Sequence, residues 1–234
     1  MVILIHFPVS VKQYALASIC PGREIPLPEQ CPHPDCRARH SLIRWGYYRR
    51  WVSTAGGDYQ LRIQRVRCTA CGRTHSLLPD FLHPFRHYEL ALLQQVIQLY
   101  LLTGLGFGKI MEALSEPGPA LSTLREWVQA FAHGAGFLLA GLLSRSLLTV
   151  EPAAELPGPA PPHLSRSRHR YLISAWFAWH LTEQLYALGK QQQPRLHFSA
   201  TAILTFGLHW LQNQALVPRF FWSPRLTTTP TAPF

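Results

Sequence analysis

The sequence predicts an α+β chain in which a small sheet comes first and helices follow. Three observations predict it. Two cysteine pairs, Cys31/Cys36 and Cys68/Cys71, bracket two strand-like runs. From about residue 86 onward, apolar residues recur at helical spacing. Residues 151–170 turn to proline and arginine and set the first helices apart from an aromatic-rich end. The segments are therefore 1–27, an N-terminal stretch; 28–78, the cysteine-bracketed sheet; 79–150, helical; 151–170, a linker; and 171–234, C-terminal helices and a tail.

Composition bounds the answer further. Hydrophobic residues make up 47% of 234, enough for a packed core, which excludes a chain disordered throughout. The net charge is +10, and of 22 basic residues 19 are arginine, a balance that favours polyanionic partners. GC-rich coding would explain part of the arginine excess but not its clustering. "MVILIHFPVSVK" lacks a basic start before its apolar run, so no export signal is expected. The apolar stretches Leu90–Leu102, Phe137–Val150 and Tyr171–Leu188 are each interrupted by polar side chains, and they read as buried helices rather than membrane spans. The cysteines, paired at short spacing, point to metal in a reducing cytoplasm rather than to disulfides. Cys20 is left over and reads as a small apolar residue.

The cysteine segment comes first. Cys68 and Cys71 have the C-x2-C spacing that aims two sulfurs at one tetrahedral ion; Cys31 and Cys36 are wider, at C-x4-C, with Pro32 and Pro34 stiffening the loop. Between them Ser41–Val52 and Tyr59–Val66 read as the strands of a hairpin, with Gly56 and Gly57 at the turn. In the second strand Tyr59, Leu61 and Ile63 are expected inward and Gln60, Arg62 and Gln64 outward; the alternation slips at Arg65–Val66, as a bulge there would make it. Knuckle, hairpin, knuckle is the layout of a zinc ribbon, so the cofactor expected is Zn2+ on Cys31, Cys36, Cys68 and Cys71. His33 or His75 could replace one sulfur, and unliganded thiols are the alternative.

Residues 31–75 hold nine arginines against Asp35 and Asp58. So small a sheet cannot bury nine guanidinium groups, so a charged face suited to phosphate is expected, with Arg44, Arg49, Arg50, Arg62, Arg65 and Arg67 as the candidates. Trp45, Tyr47, Tyr48 and Trp51 are expected mainly in the small core beside the metal, with stacking on bases as their second use.

The helices follow. "THSLLPDFLHPFRHYEL" reads as a stiff connector, and a helix is predicted from about Arg86 to Thr103, with His87, Gln94, Gln95 and Gln98 on its polar side. "FGKIMEAL" is a short helix carrying Lys109. After a break at "SEPGPAL" comes "LSTLREWVQAFAHGAG", where Thr123 and Glu126 have capping-box spacing and Ser122 is an alternative cap. Leu124, Trp127, Val128 and Phe131 form its apolar spine, and Ser122, Arg125, Gln129 and His133 the opposite face. Short helix, turn, amphipathic helix is the helix-turn-helix plan, whose second helix would offer Ser122, Thr123, Arg125 and Gln129 to base edges; an ordinary helical bundle is the alternative. Residues 151–170 read as a stiff, partly disordered linker with a basic end, and helices are expected at about 171–189 and 198–216 before a disordered tail.

"CPHPDC…LIRWGYYRRWV…IQRVRCTACGRTHSLLPDFLHPFRHYEL…STLREWVQAF" resembles a family of uncharacterised bacterial proteins, themselves similar to the zinc-ribbon and helix-turn-helix front end of insertion-sequence transposases. The resemblance covers about residues 28–135 and implies DNA binding linked to mobile elements, without implying catalysis. A cleaving transposase needs three carboxylates to hold two metal ions. Past residue 135 only Glu151, Glu155 and Glu183 occur, and no aspartate follows Asp80. A non-enzymatic, zinc-dependent binder of double-stranded DNA, located in the cytoplasm at the nucleoid, is therefore expected, acting as accessory or regulator of a mobile element. A degenerate or partnered transposase is the alternative, and a protein-interaction or membrane-associated module a further one. A transposase or a second copy of the chain could be a partner; no small-molecule substrate is expected.

Overall fold

The computed structural model describes residues 2–7, 9–17, 27–84, 86–114, 118–134, 137–165, 170–192 and 203–204. Cys20, the tail and the helix predicted at 198–216, apart from residues 203 and 204, lie outside the described residues. The architecture is mixed α+β, with a four-stranded sheet toward the N-terminus and seven helices among the described residues. The chain divides into two compact units, Met1–Leu90 and Ala91–Phe234.

In the first unit the order is β1 (Val2–Ile5), α1 (Val11–Leu16), β2 (Leu42–Thr54), β3 (Gly57–Cys68) and β4 (Thr74–Pro79). The β2–β3 hairpin stands where the alternation predicts it. Two elements differ from expectation. Residues 74–79, read as connector, form β4 antiparallel to β3, and the N-terminal stretch supplies β1, parallel to β4, so the sheet runs β1–β4–β3–β2. Asp80 fastens the outer pair: its N–H donates to Ile5 O (2.9 Å), and its buried carboxylate lies 2.7 Å from His6 Nδ1. The short α1 starts in a capping box in which the Gln13 N–H donates to Ser10 Oγ and the Ser10 N–H to Gln13 Oε1. Its Tyr14 is buried edge-on against Phe7 and Phe81 and donates to Arg62 O.

The hairpin buries opposite faces at its two ends. Alternation puts Leu61 and Ile63 on one face of β3 and Gln64, Val66 and Cys68 on the other, yet all five are buried. At the knuckle end Val66 and Cys68 pack with Ile3, Cys31, Leu42 and Leu77. The slip at Arg65–Val66 is thus no bulge of β3, which pairs regularly with β4 from Gln64 to Arg67. The extra residue sits across from Arg65 in β2, where pairing jumps from Arg44↔Val66 to Tyr47↔Gln64 and Gly46 takes φ 95°. Gln64, expected outward, turns in because the bulge leaves the Gly46 carbonyl without a ladder partner; its amide donates to that oxygen at 2.5 Å.

The second unit holds α2 (Leu90–Thr103), α3 (Phe107–Ala113), α4 (Leu121–Gly134), α5 (Phe137–Val150), α6 (Pro162–Ser165) and α7 (Arg170–Gln192). Helix α7 packs on α4 and α5, and Trp179 meets Phe131 edge-on at 5.7 Å. Helix α2 starts at Leu90 rather than Arg86, and its Gln94, predicted polar-side, is buried and accepts from the Leu204 N–H. The segment expected to be a linker includes α6, whose Leu164 is buried, and Gln184 donates to Glu155 O. Among the described residues no helix is long and apolar enough to cross a membrane.

Candidate metal centre

Two tight turns carry the thiols. After β3 the chain reverses at Cys68–Gly72: the Gly72 N–H donates to Cys68 O and the Cys68 N–H to Arg73 O. The first turn is closed by the Cys31 N–H donating to Ala38 O, with the Cys36 and Arg37 N–H groups both donating to His33 O. The residue after the second cysteine is left-handed in each, Gly72 at φ 70° and Arg37 at φ 45°. Glycine takes that conformation freely; the arginine does so at some strain. The two knuckles thus end alike despite their different lengths. The Thr69 N–H donates to Ser41 O and docks the second turn against the start of β2.

The four sulfurs converge. Ligand atoms of Cys31, Cys36, Cys68 and Cys71 all lie within 4.8 Å of one another, with Cys31 Sγ 3.9 Å from Cys71 Sγ and Cys36 Sγ 3.7 Å from Cys68 Sγ. A tetrahedral ion with metal–sulfur bonds of about 2.3 Å needs sulfurs about 3.8 Å apart. The electrostatics point the same way. Cys68 is pulled down to about 6, first by the Ser41 hydroxyl at 3.2 Å and then by backbone N–H groups of the turn. Cys31 is pushed up to about 12 by burial and by the neighbouring thiols. Cys36 rises too: the Ala38 backbone pulls it down, but burial and the Cys71 and Cys68 thiols outweigh that. Protons alone therefore let one sulfur ionise and hold its neighbours neutral, whereas a divalent cation would stabilise all four as thiolates. The donor set fits such an ion, and these four residues could hold one.

Neither histidine alternative joins the cluster. The His33 Nε2 contacts Arg73 Nη1, and its Nδ1 accepts from the Asp35 N–H at 3.3 Å. His75 is buried with Nε2 3.6 Å from Cys31 Sγ, the place of a group that supports a ligand from behind. That position, and the hydroxyl of Ser41 beside Cys68, carry no spacing signal; only the pairings Val66↔His75 and Leu42↔Cys68 bring them to the cluster.

The predicted arginine face is only partly formed. Arg49 and Arg62 are exposed and directly opposite across the hairpin, while Arg44, Arg65 and Arg67 are half-buried. Arg50 is a correction: it is buried and donates to His83 O and Arg86 O, clamping the loop after β4. Desolvation lowers its pKa, and it is out of reach of an external phosphate. The aromatics correct expectation the other way. Trp45, Tyr47 and Trp51 are 50%, 50% and 58% exposed, so they do not form the core beside the thiols. Arg62 stacks over Tyr47 at 3.7 Å and Arg67 over Trp45 at 4.7 Å.

In the second unit Ser122, Arg125, Gln129 and His133 are exposed along α4, and Leu124, Trp127, Val128 and Phe131 are buried, as the periodicity predicts. Thr123 is half-buried, and Lys109 on α3 is exposed. The helix begins at Leu121, so Thr123 and Ser122 lie inside its first turn and neither caps it. Helix α3 packs against α4, with Arg125 6.0 Å from the Phe107 ring.

A family model described as a domain of unknown function (DUF6431) matches residues 31–104, from the first cysteine to just past α2. No curated protein and no solved structure matches the chain.

Proposed function

We propose that the chain binds double-stranded DNA, with zinc in the four-cysteine centre fixing the sheet as a zinc ribbon. The observation that carries this reading is the pair Arg49 and Arg62, both exposed and face to face on a hairpin whose knuckles the metal would lock. Like charges directly opposite on a sheet repel, and a bridging polyanion turns that cost into a contact. Half-buried Arg44, Arg65 and Arg67 extend the field toward the knuckles. On this reading α3 and α4 act as a helix-turn-helix, with Lys109 toward phosphate and Ser122, Thr123, Arg125 and Gln129 toward base edges. The role as accessory or regulator of a mobile element follows from the resemblance to transposase front ends and from the few carboxylates in the sequence.

The test is a salt titration of duplex binding by the full-length, zinc-loaded protein. Arg49→Ala with Arg62→Ala should flatten the slope of log affinity against log salt by about two units, one per phosphate contact, on every duplex sequence alike. Unchanged affinity and slope would remove the ribbon from the interface.

A further inference from the structure

The exposed face of the hairpin near its turn is more than a positive patch. Tyr47, Arg49 and Trp51 follow one another on one side of β2, paired with Gln64, Arg62 and Gln60 of β3. Trp51 is 58% exposed although it sits in the middle of a long strand pair, and among the described residues no guanidinium lies over its ring, in contrast to Trp45 and Tyr47. Beside it opens a groove of about 410 Å³, lined among the described residues by Tyr14, Ala15 and Ala17 of the α1 region and by Tyr47, Arg49, Gln60 and Arg62 of the sheet. The small alanine side chains keep its far wall low. Its charge is set by Arg49 and Arg62; the acid on the same run of β3, Asp58, stands at the turn end, opposite Ser53.

We infer that this face is a platform for an unpaired nucleotide of a DNA strand, its base stacked on Trp51 and its phosphate held by Arg49 and Arg62. This rests on the DNA-binding reading and names what the ribbon takes within it. A paired duplex exposes base edges in its grooves, while the base faces are covered by their neighbours. A flat indole on a sheet offers a face, and a base presents its own face only where the strand is unpaired. Arginine phosphate contacts alone would explain Arg49 and Arg62 but leave the bare indole between the strands and the groove unused. Residues two apart on a strand are about 7 Å from each other, so Trp51 and Arg49 fall within the span of one nucleotide. The guanidinium of Arg62, already stacked flat on Tyr47, adds a second planar surface across the same groove.

The full-length metal-loaded protein is titrated with a labelled blunt duplex and with the same duplex carrying a short single-stranded overhang. The overhang should bind about ten-fold more tightly. Trp51→Ala should bring the overhang-to-blunt ratio close to one, and Trp51→Phe should keep most of the preference, with metal content and circular dichroism verifying the fold of both. Equal binding of the two probes by the wild type overturns the platform while leaving duplex binding intact. A preference that survives Trp51→Ala also overturns it. Failure to bind either probe overturns this inference and the DNA-binding reading together.

Discussion

The two compact units solve the same problem with different means. In the second unit stability comes from apolar helix faces: α4 buries Leu124, Trp127, Val128 and Phe131, and α7 buries Leu172, Trp179, Leu181 and Leu185. In the first, the cluster around the thiols is small, and two of its six fully buried members are cysteines. The sheet there is covered on one face at one end and on the other face at the other, which leaves a bare arginine–aromatic surface at the hairpin's turn. A domain that keeps so much of its sheet open cannot rely on burial alone, and below a certain core size a staple takes over. The contrast teaches that exposed surface and metal centre belong together: the ion would let the first unit display side chains that the second must bury.

The most drastic way to break this contrast is to remove a ligand. Structural zinc contributes about 10–16 kcal/mol in small domains, more than the net stability of most of them. Cys68→Ser deletes the sulfur that ionises most readily and should abolish stoichiometric metal and open residues 27–84 to protease, while the helices of the second unit keep their signal. Chelation of the wild type should do the same. Retained metal with a protease-resistant sheet would show that three sulfurs suffice or that the ion is not structural.

A smaller effect tests the other side. Trp127 is buried on α4 and Arg125, two residues away, is exposed. Trp127→Ala should cost the second unit about 3–5 kcal/mol through the lost burial and the cavity, read as a shift in its thermal or urea transition with metal stoichiometry unchanged. Arg125→Ala should leave that transition in place and lower preference for a selected duplex over random DNA by about 1–3 kcal/mol. An unchanged specificity ratio would make α4 a bundle element and nothing more.

What the sequence shows and hides follows from the range of each interaction. The knuckles, the hairpin and the two faces of α4 rest on spacings of two to four residues, and they stand where those spacings place them. Strands β1 and β4 escaped notice because they pair in parallel across about seventy residues of chain, with Ile3 opposite Leu77, a relation that leaves no local pattern. The arginine face was misread at one position for a subtler reason. Arg49 and Arg50 are neighbours, so one must point out and the other in, and a single added residue reverses the choice. That residue is the bulge beside Gly46, visible in the sequence only as a glycine. The aromatics were misplaced because stacking under a guanidinium, as for Tyr47 and Trp45, lets large rings stay at the surface.

The smallest expected effect sharpens the comparison from within the first unit. His83 is buried where the Arg50 clamp closes, and its pKa lies well below 6.5, first because burial disfavours the charged ring and then because Arg86 and Arg50 add positive charge. His75, beside the thiols, is lowered in the same direction, again by burial first. The unfolded chain takes up these protons near pH 6.5, whereas the folded chain resists until lower pH. Depressed histidines thus contribute stability above the unfolded value, and the contribution is lost as pH falls toward the folded one. Each such group can steepen the dependence by at most about 1.4 kcal/mol per pH unit. Because acid also weakens thiolate–metal bonds, the useful quantity is a difference between two metal-loaded proteins. Between about pH 6.5 and 5.5 the urea midpoint of the wild-type first unit should fall faster than that of His83→Leu, which keeps the volume and cannot take a proton. Parallel curves would mean that His83 accepts its proton without disturbing the clamp; a steeper fall in the variant would reverse the sign of its role.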